Sequence, residues 1–285
     1  MDSFEASPDH FKVIESVIHT ESFRELSDEF NDVAGFEMSP RFRVLFHEIW
    51  IVLTKIENSA FTEIEKRSKY NEKKTFYEMI NGIVQEKFAA VEYHYMNYSE
   101  VETSAIGAAI RLARLFPRPK FSHTMGFTCR RLDFEMEAFF LQTSACLDTF
   151  ARSVGYYFEA SSRGSIFKLR KYLSLNRRQN VKAQRIVQII DKYATLLGEL
   201  ETIGGKVSKR DTIAHVGHLR VRPLHVIQSA SGEIRILPQL ETEHDSPALS
   251  EASQSDLLRE KMERIFEFIA EIYDIIFDLP HLRHG

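Results

Sequence analysis

Two cysteines, Cys129 and Cys146, are too few for a disulfide scaffold or a four-cysteine zinc site. Twelve Gly and eight Pro in 285 residues disfavour a turn-rich all-β fold. The same scarcity works against glycine-loop nucleotide folds. There is no GxGxxG and no GxxxxGK(S/T), and Gly204-Gly205-Lys206 is a fragment of neither. Long apolar runs are also missing, since Ile265–Ile276 is interrupted by Glu267, Glu271 and Asp274, so nothing spans a bilayer. The start, MDSFEASPDH, is acidic and lacks the basic start and apolar core of a secretory signal. A cytoplasmic chain with reduced thiols is expected.

What remains is an ordinary globular composition, 44% apolar and 27% charged, in a length that makes one large domain or two modest ones. The net charge of −4 conceals a strong asymmetry. Residues 1–102 carry 11 Lys+Arg against 20 Asp+Glu, residues 103–222 carry 21 against 9, and residues 223–285 carry 5 against 12. The middle block contains two stretches with no acid at all, Thr103–Leu132 and Ala160–Ile190. The second holds Arg163, Lys168, Arg170, Lys171, Arg177, Arg178, Lys182 and Arg185. Such a block creates local positive potential whose usual target is a phosphate backbone, or it pairs internally with acids elsewhere in the chain.

The dominant period is helical. Phe11, Ile14, Val17 and Ile18 follow Ser7-Pro8-Asp9, a helix-start signal, and a second short helix covers Ser22–Val33. Pro40 opens a long helix with Val44, Leu45, Ile49, Val52 and Leu53 on one face. Thr75–Tyr98 and Ser104–Leu115 follow, and Pro117 with Pro119 marks a linker. Beyond it the pattern predicts helices over Asp133–Tyr157, Ser165–Ser174 and Asn180–Thr202, a short helix after Ser208, and a closing helix from Asp256 to about Leu279. Between the last two the period changes to two. Leu219–Ile227 and Glu233–Leu237 flank Ser231-Gly232 and read as a β-hairpin. The expected fold is mainly α, with an α-helical region over 1–120 and an α-helical domain over 121–285 that carries a hairpin near 219–237.

The short helix carries the chemistry: Ser208-Lys209-Arg210-Asp211-Thr212-Ile213-Ala214-His215. Arg-x4-His occurs three times here, at Arg118/His123, Arg210/His215 and Arg220/His225. Pro119 keeps the first out of a helix, and the third sits on an alternating strand. Only Arg210 has a carboxylate beside it at a helix start. On a helix, residues four apart are neighbours, so Asp211 can stand beside His215, hold one tautomer and stabilise the imidazolium. Lys209 and Arg210 occupy a first helical turn, where the macrodipole disfavours cations, and a phosphate there would supply the reason. The alternative is that Ser208 and Asp211 cap the helix while His215 packs inside.

Arg210-Asp211-x3-His215 resembles the R-polar-x3-H signature of HEPN domains, four-helix modules found in RNA-cleaving toxins and antiviral effectors. The order of a long helix, a second helix, a short motif helix and a closing helix over roughly 129–285 is similar too. The resemblance implies a HEPN-like four-helix bundle in the C-terminal half and a homodimer through the motif helices, pooling two Arg and two His. It also implies metal-independent RNA cleavage with no cofactor, by 2′-hydroxyl attack that leaves a 2′,3′-cyclic phosphate. His215 would be the base, Arg210 would stabilise the phosphate charge, and an antitoxin or regulatory partner would restrain the enzyme. Gly217 stands where some HEPN proteins carry a tyrosine that a partner modifies. A non-catalytic RNA-binding or protein-interaction module is the alternative.

Lys168, Arg170, Arg177, Arg178 and Lys209 are the expected RNA-phosphate contacts. His215, His218 and His225 lack the companions of a metal site, and no HExxH is present. Glu135 and Glu137 read as acids placed at a helix N-terminus or, on the HEPN resemblance, as acids close to the motif. Tyr93-His94-Tyr95-Met96-Asn97-Tyr98 reads as an amphipathic helix edge or, alternatively, as a base-stacking row. Cys146 reads as a core residue.

Overall fold

The structure, a computed structural model, describes residues 38–116, 123–160, 164–200, 213, 224–237 and 253–279. The chain divides into two compact units, Met1–Ser39 and Pro40–Gly285. Every element below belongs to the second. The helices expected over 11–18 and 22–33 lie outside the described residues.

Helix α1 (Pro40–Thr62) starts at a proline, which suits a first turn whose N–H groups have no helical partner. Helix α2 (Ile64–Glu78) runs through a π-helical segment, Met79–Val84, into α3 (Gln85–Leu115). The sequence explains the π-turn. Phe76, Ile80, Val84 and Phe88 are spaced by four and all fully buried. In an α-helix each such step overshoots one turn by about 40°, so the row would wind off its face. The wider π-turn takes up the drift.

Strand β1 (His123–Phe127) leads into α4 (Arg130–Tyr157), which lies along α3. Helix α4 ends in a Schellman arrangement: Ala160 N–H donates to Gly155 O at 2.9 Å and Glu159 N–H to Tyr156 O at 3.1 Å, with Glu159 at φ 58°. Helices α5 (Ile166–Asn176), α6 (Val181–Lys192) and α7 (Ala194–Leu200) follow, then β2 (Leu224–Gln228), β3 (Ile234–Leu237) and α8 (Gln254–Phe277). Asn180 caps α6 by accepting from Ala183 N–H at 3.1 Å, and Ser253 caps α8 by accepting from Asp256 N–H at 3.1 Å.

The core is aromatic. Phe150 of α4 meets Phe268 and Tyr273 of α8 edge-on, at 5.7 and 5.2 Å between ring centroids, and Tyr193 meets Phe268 at 5.5 Å. Phe42 of α1 lies 5.1 Å from Phe88 of α3 and 4.7 Å from Phe266 of α8. Phe76 of α2 stacks on Phe277 at 5.8 Å and tilts onto Tyr157 at 5.1 Å. The first three helices therefore share one core with α4 and α8.

The expected hairpin is present, and β1 extends it to a three-stranded antiparallel sheet in the order β1-β2-β3. Phe127 pairs with Leu224 and His123 with Gln228, while His225 pairs with Leu237 and Gln228 with Ile234. Leu224 and Val226 of β2 sit over Ala109 and Ala113 of α3, flanked by Ile106, Met125, Phe127, Ile234 and Ile236. Two alanines four apart leave the room that the sheet occupies. Two other expectations differ in detail. Thr75–Tyr98 and Ser104–Leu115 are not separate, because α3 continues through Val101 and Glu102, both buried. Asn180–Thr202 is interrupted at Tyr193, whose hydroxyl turns to Glu271 at 2.8 Å.

Candidate functional site

The basic segment folds as two short amphipathic helices. Ile166, Leu169 and Leu173 bury one face of α5, and Ala183, Ile186 and Ile190 bury one face of α6. That leaves Lys168, Lys171, Arg178 and Arg185 exposed. None of these four has a side-chain ion pair with any other described residue.

The other cations are committed to the fold. Arg170 forms a two-pronged pair with Asp191, 2.5 Å from Nε to Oδ1 and 3.0 Å from Nη2 to Oδ2, which raises its already high pKa. Arg177 donates to the Phe158 carbonyl at 3.2 and 3.0 Å and to Glu159 at 2.8 Å. Lys182 donates to Ile276 O at 2.9 Å and to Asp278 at 2.7 Å, placing a cation at the C-terminus of α8. The acid-free stretch 160–190 is bounded by Glu159 and Asp191, and these two acids take Arg177 and Arg170. Arg170 and Arg177, expected as phosphate contacts, are engaged within the fold by these two acids. Lys168 and Arg178 remain available.

Lys209, Arg210, Asp211, His215 and His218 lie outside the described residues. Between Asp211 and His215, Ile213 is helical and half-buried. The elements on either side of this stretch are both tied to α4. At the end of α7, Leu200 O accepts from Ser144 Oγ of α4 at 3.2 Å. At the start of β2, Leu224 pairs with Phe127, three residues before α4 begins.

A second polar contact spans α3 and α4. His94 Nδ1 lies 2.9 Å from Glu135 Oε2, with the two side chains 22% and 17% exposed. The carboxylate accepts, which places a proton on Nδ1. Glu135 therefore has a specific partner and is more than an acid at a helix N-terminus. No local signal revealed this pair, since its members are 41 residues apart and meet only when the two helices pack. The aromatic row around His94 divides its work: Tyr98 is fully buried, while Tyr93 and Met96 are exposed. Cys146 is buried, and burial pushes its thiol up to about 12.

Among the described residues, no group of three His, Cys, Asp or Glu is placed to hold a metal ion, and no helix is long and apolar enough to cross a membrane. His225 is half-buried on β2.

Comparison with known proteins finds no match. Neither a protein-family model, nor a curated protein sequence, nor a solved structure is similar to this chain.

Proposed function

We propose that the chain is a metal-independent endoribonuclease of the HEPN type, a cytoplasmic toxin or antiviral effector that works as a homodimer. The observation that carries this reading is the sequence Arg210-Asp211-x3-His215, set between two elements that are each tied to α4. In the reaction His215 takes the proton of a ribose 2′-hydroxyl, and the oxygen attacks the adjacent phosphorus. Arg210 stabilises the charge on the non-bridging oxygens, and Asp211 steadies the imidazolium. The 5′-oxygen leaves with a proton from the second histidine of the dimer, giving a 2′,3′-cyclic phosphate and a 5′-hydroxyl. Exposed Lys168 and Arg178, with Lys209, guide the phosphate backbone.

The test is cleavage of total tRNA and a generic single-stranded RNA in EDTA by wild type, Arg210→Ala and His215→Ala, matched for folding by circular dichroism. Wild-type cleavage with cyclic-phosphate ends, lost in both variants, is the expected result. Equal activity in all three would reject the assignment of these residues.

A second reading, a non-catalytic RNA-binding module, is favoured by Lys168, Lys171, Arg178 and Arg185, four exposed cations of α5, α6 and the turn between them that have no ion pair among the described residues. They would bind RNA whatever His215 does. On that reading His215→Ala binds RNA as wild type does, and none of the three proteins cleaves it.

A further inference from the structure

The turn between α5 and α6 brings exposed aliphatic side chains and unpaired cations together. Leu175, in the last turn of α5, is 64% exposed, and Val181, the first residue of α6, is 67% exposed. On the same two helices and the turn that joins them stand Lys168, Lys171, Arg178 and Arg185, exposed and without an ion pair among the described residues. One exposed aliphatic side chain is ordinary on a protein surface. Two that flank a single turn, in a segment this basic, need a reason. A phosphate backbone accounts for the cations and gives none for the leucine and the valine.

The turn is held in place. Asn180 N–H donates to the Arg177 carbonyl at 2.9 Å, and the Gln184 side chain donates to the Arg178 carbonyl. Arg177 is tied to Phe158 and Glu159, and Lys182 to Ile276 and Asp278. The two acids that reach this end of the hairpin thus each hold a cation, and none lies between Ala160 and Ile190. The charge left over is positive.

Spacing orders the two kinds of side chain. Lys168 and Lys171 precede Leu175 by seven and four residues, which places all three on one stripe of α5. Arg185 follows Val181 by four on α6. At about 1.5 Å of rise per residue, Lys171 and Arg185 sit about 6 Å behind the aliphatic pair, and Lys168 about 10 Å behind it. Segments that lie in a membrane interface bury their apolar side about 5 to 10 Å deep. With the turn pointing at a bilayer, that depth brings these cations level with the lipid headgroups, and the stem of Arg178 is long enough to reach back to them.

We propose that the α5–α6 turn docks on the surface of an anionic lipid bilayer, with Leu175 and Val181 inserted and Lys168, Lys171, Arg178 and Arg185 on the headgroup phosphates and carboxylates. The attachment is peripheral, and it does not rest on the assignment of Arg210 and His215. Two aliphatic side chains alone hold weakly, so binding needs the anionic charge as well.

Cosedimentation of the full chain tests it, with vesicles of phosphatidylcholine alone and of equal parts phosphatidylcholine and phosphatidylserine. Wild type should bind the mixed vesicles, leave them at high salt and ignore phosphatidylcholine alone. Leu175→Ser and Val181→Ser should each weaken binding about tenfold, with unchanged circular dichroism and unchanged affinity for single-stranded RNA. Lys171→Ala and Arg185→Ala should each weaken vesicle binding about fivefold. Wild type that stays in solution beside the mixed vesicles would overturn the proposal. So would vesicle binding indifferent to Leu175→Ser and Val181→Ser, because charge alone would then hold the protein. Loss of RNA affinity in those two variants, with no vesicle binding by wild type, would assign the turn to RNA instead.

Discussion

The carboxylate of Glu102, in the middle of α3, receives the backbone N–H groups of Gln254 and Ser255 at the start of α8, each at 3.2 Å. Glu102 is 4% exposed, so a buried anion meets the positive end of the closing helix and satisfies two donors that no helical carbonyl can reach. Ser253 takes a third, from Asp256. Truncating the carboxylate leaves two buried N–H groups without partners. Glu102→Ala should therefore cost about 1.5 to 3 kcal/mol, the range for hydrogen bonds to a charged group. Glu102→Gln keeps one acceptor and should fall between Ala and wild type. Urea denaturation followed by circular dichroism reads all three.

This contact also shows where sequence reasoning stops. The polar stretch between Tyr98 and Ser104 looks like a gap between helices, because a glutamate in a buried register contradicts the helical pattern. The contradiction disappears only once α8, some 150 residues later, arrives with its unpaired amides. The hairpin was legible because Leu224 to Leu237 alternate around Ser231-Gly232. Strand β1 was not, since five residues after a double proline carry no alternation of their own and become a strand only through β2. The π-turn at Met79–Val84 was not read from the sequence, where Thr75–Tyr98 passed for a plain helix, although the period of four through Phe76, Ile80, Val84 and Phe88 accounts for it. At the candidate site, the basic block was visible as composition. Which cations stay free was settled by Glu159 and Asp191, two acids at its borders.

Glu159 gives a second prediction. It holds φ 58°, a left-handed conformation in which a β-carbon is strained and glycine is at ease. Against that, its carboxylate pairs with Arg177 at 2.8 Å and stands 3.9 Å from Lys73, at 68% exposure. Exposed pairs contribute at most about 1 kcal/mol, and relief of the left-handed conformation returns about 1 to 2 kcal/mol. Glu159→Gly should leave the protein as stable as wild type or up to about 1 kcal/mol more stable. Glu159→Val keeps the strain and loses the pair, so it should lower the melting temperature.

The Cys146 thiol and a buried phenol set the alkaline limit. Burial raises Cys146 to about 12 from an ordinary 9.0, and burial also raises the Tyr273 hydroxyl well above its usual 10.0. Both groups keep their protons in the fold and lose them in the unfolded chain. Their contribution to stability is complete below about pH 9 and is lost as the pH rises from there towards 12. The urea midpoint should be level from pH 7 to 8.5 and fall above 9. Cys129 is half-buried, so in native protein a disulfide-exchange reagent should label one thiol per chain quickly, and two in denaturant.

Seating of the sheet depends on Ala113, fully buried beneath β2. Ala113→Leu adds three carbons where Leu224 and Val226 already lie and should cost about 1 to 3 kcal/mol. Because β2 directly follows the stretch that carries His215, the RNA-cleavage reading also expects activity to fall at temperatures where the fold survives. Exposed Leu112, one residue earlier, should tolerate alanine with little change in either measurement.

On the RNA-binding reading, the basic segment should separate binding from folding. Lys168 and Arg178 are exposed and unpaired among the described residues, so Lys168→Ala and Arg178→Ala should leave the melting temperature alone and weaken RNA binding. Each lost phosphate contact should reduce the slope of log affinity against log salt by about 0.7 for single-stranded RNA. Arg170→Ala should behave oppositely. It strands Asp191 and loosens α5 from α6, so stability falls while the salt slope holds. Fluorescence anisotropy of a labelled single-stranded RNA between about 50 and 200 mM salt, paired with thermal melts, distinguishes the two outcomes. Should Lys168→Ala and Arg178→Ala both leave the slope untouched, neither side chain contacts a phosphate, and Lys171, Arg185 and Lys209 are the cations left to carry the RNA-binding reading.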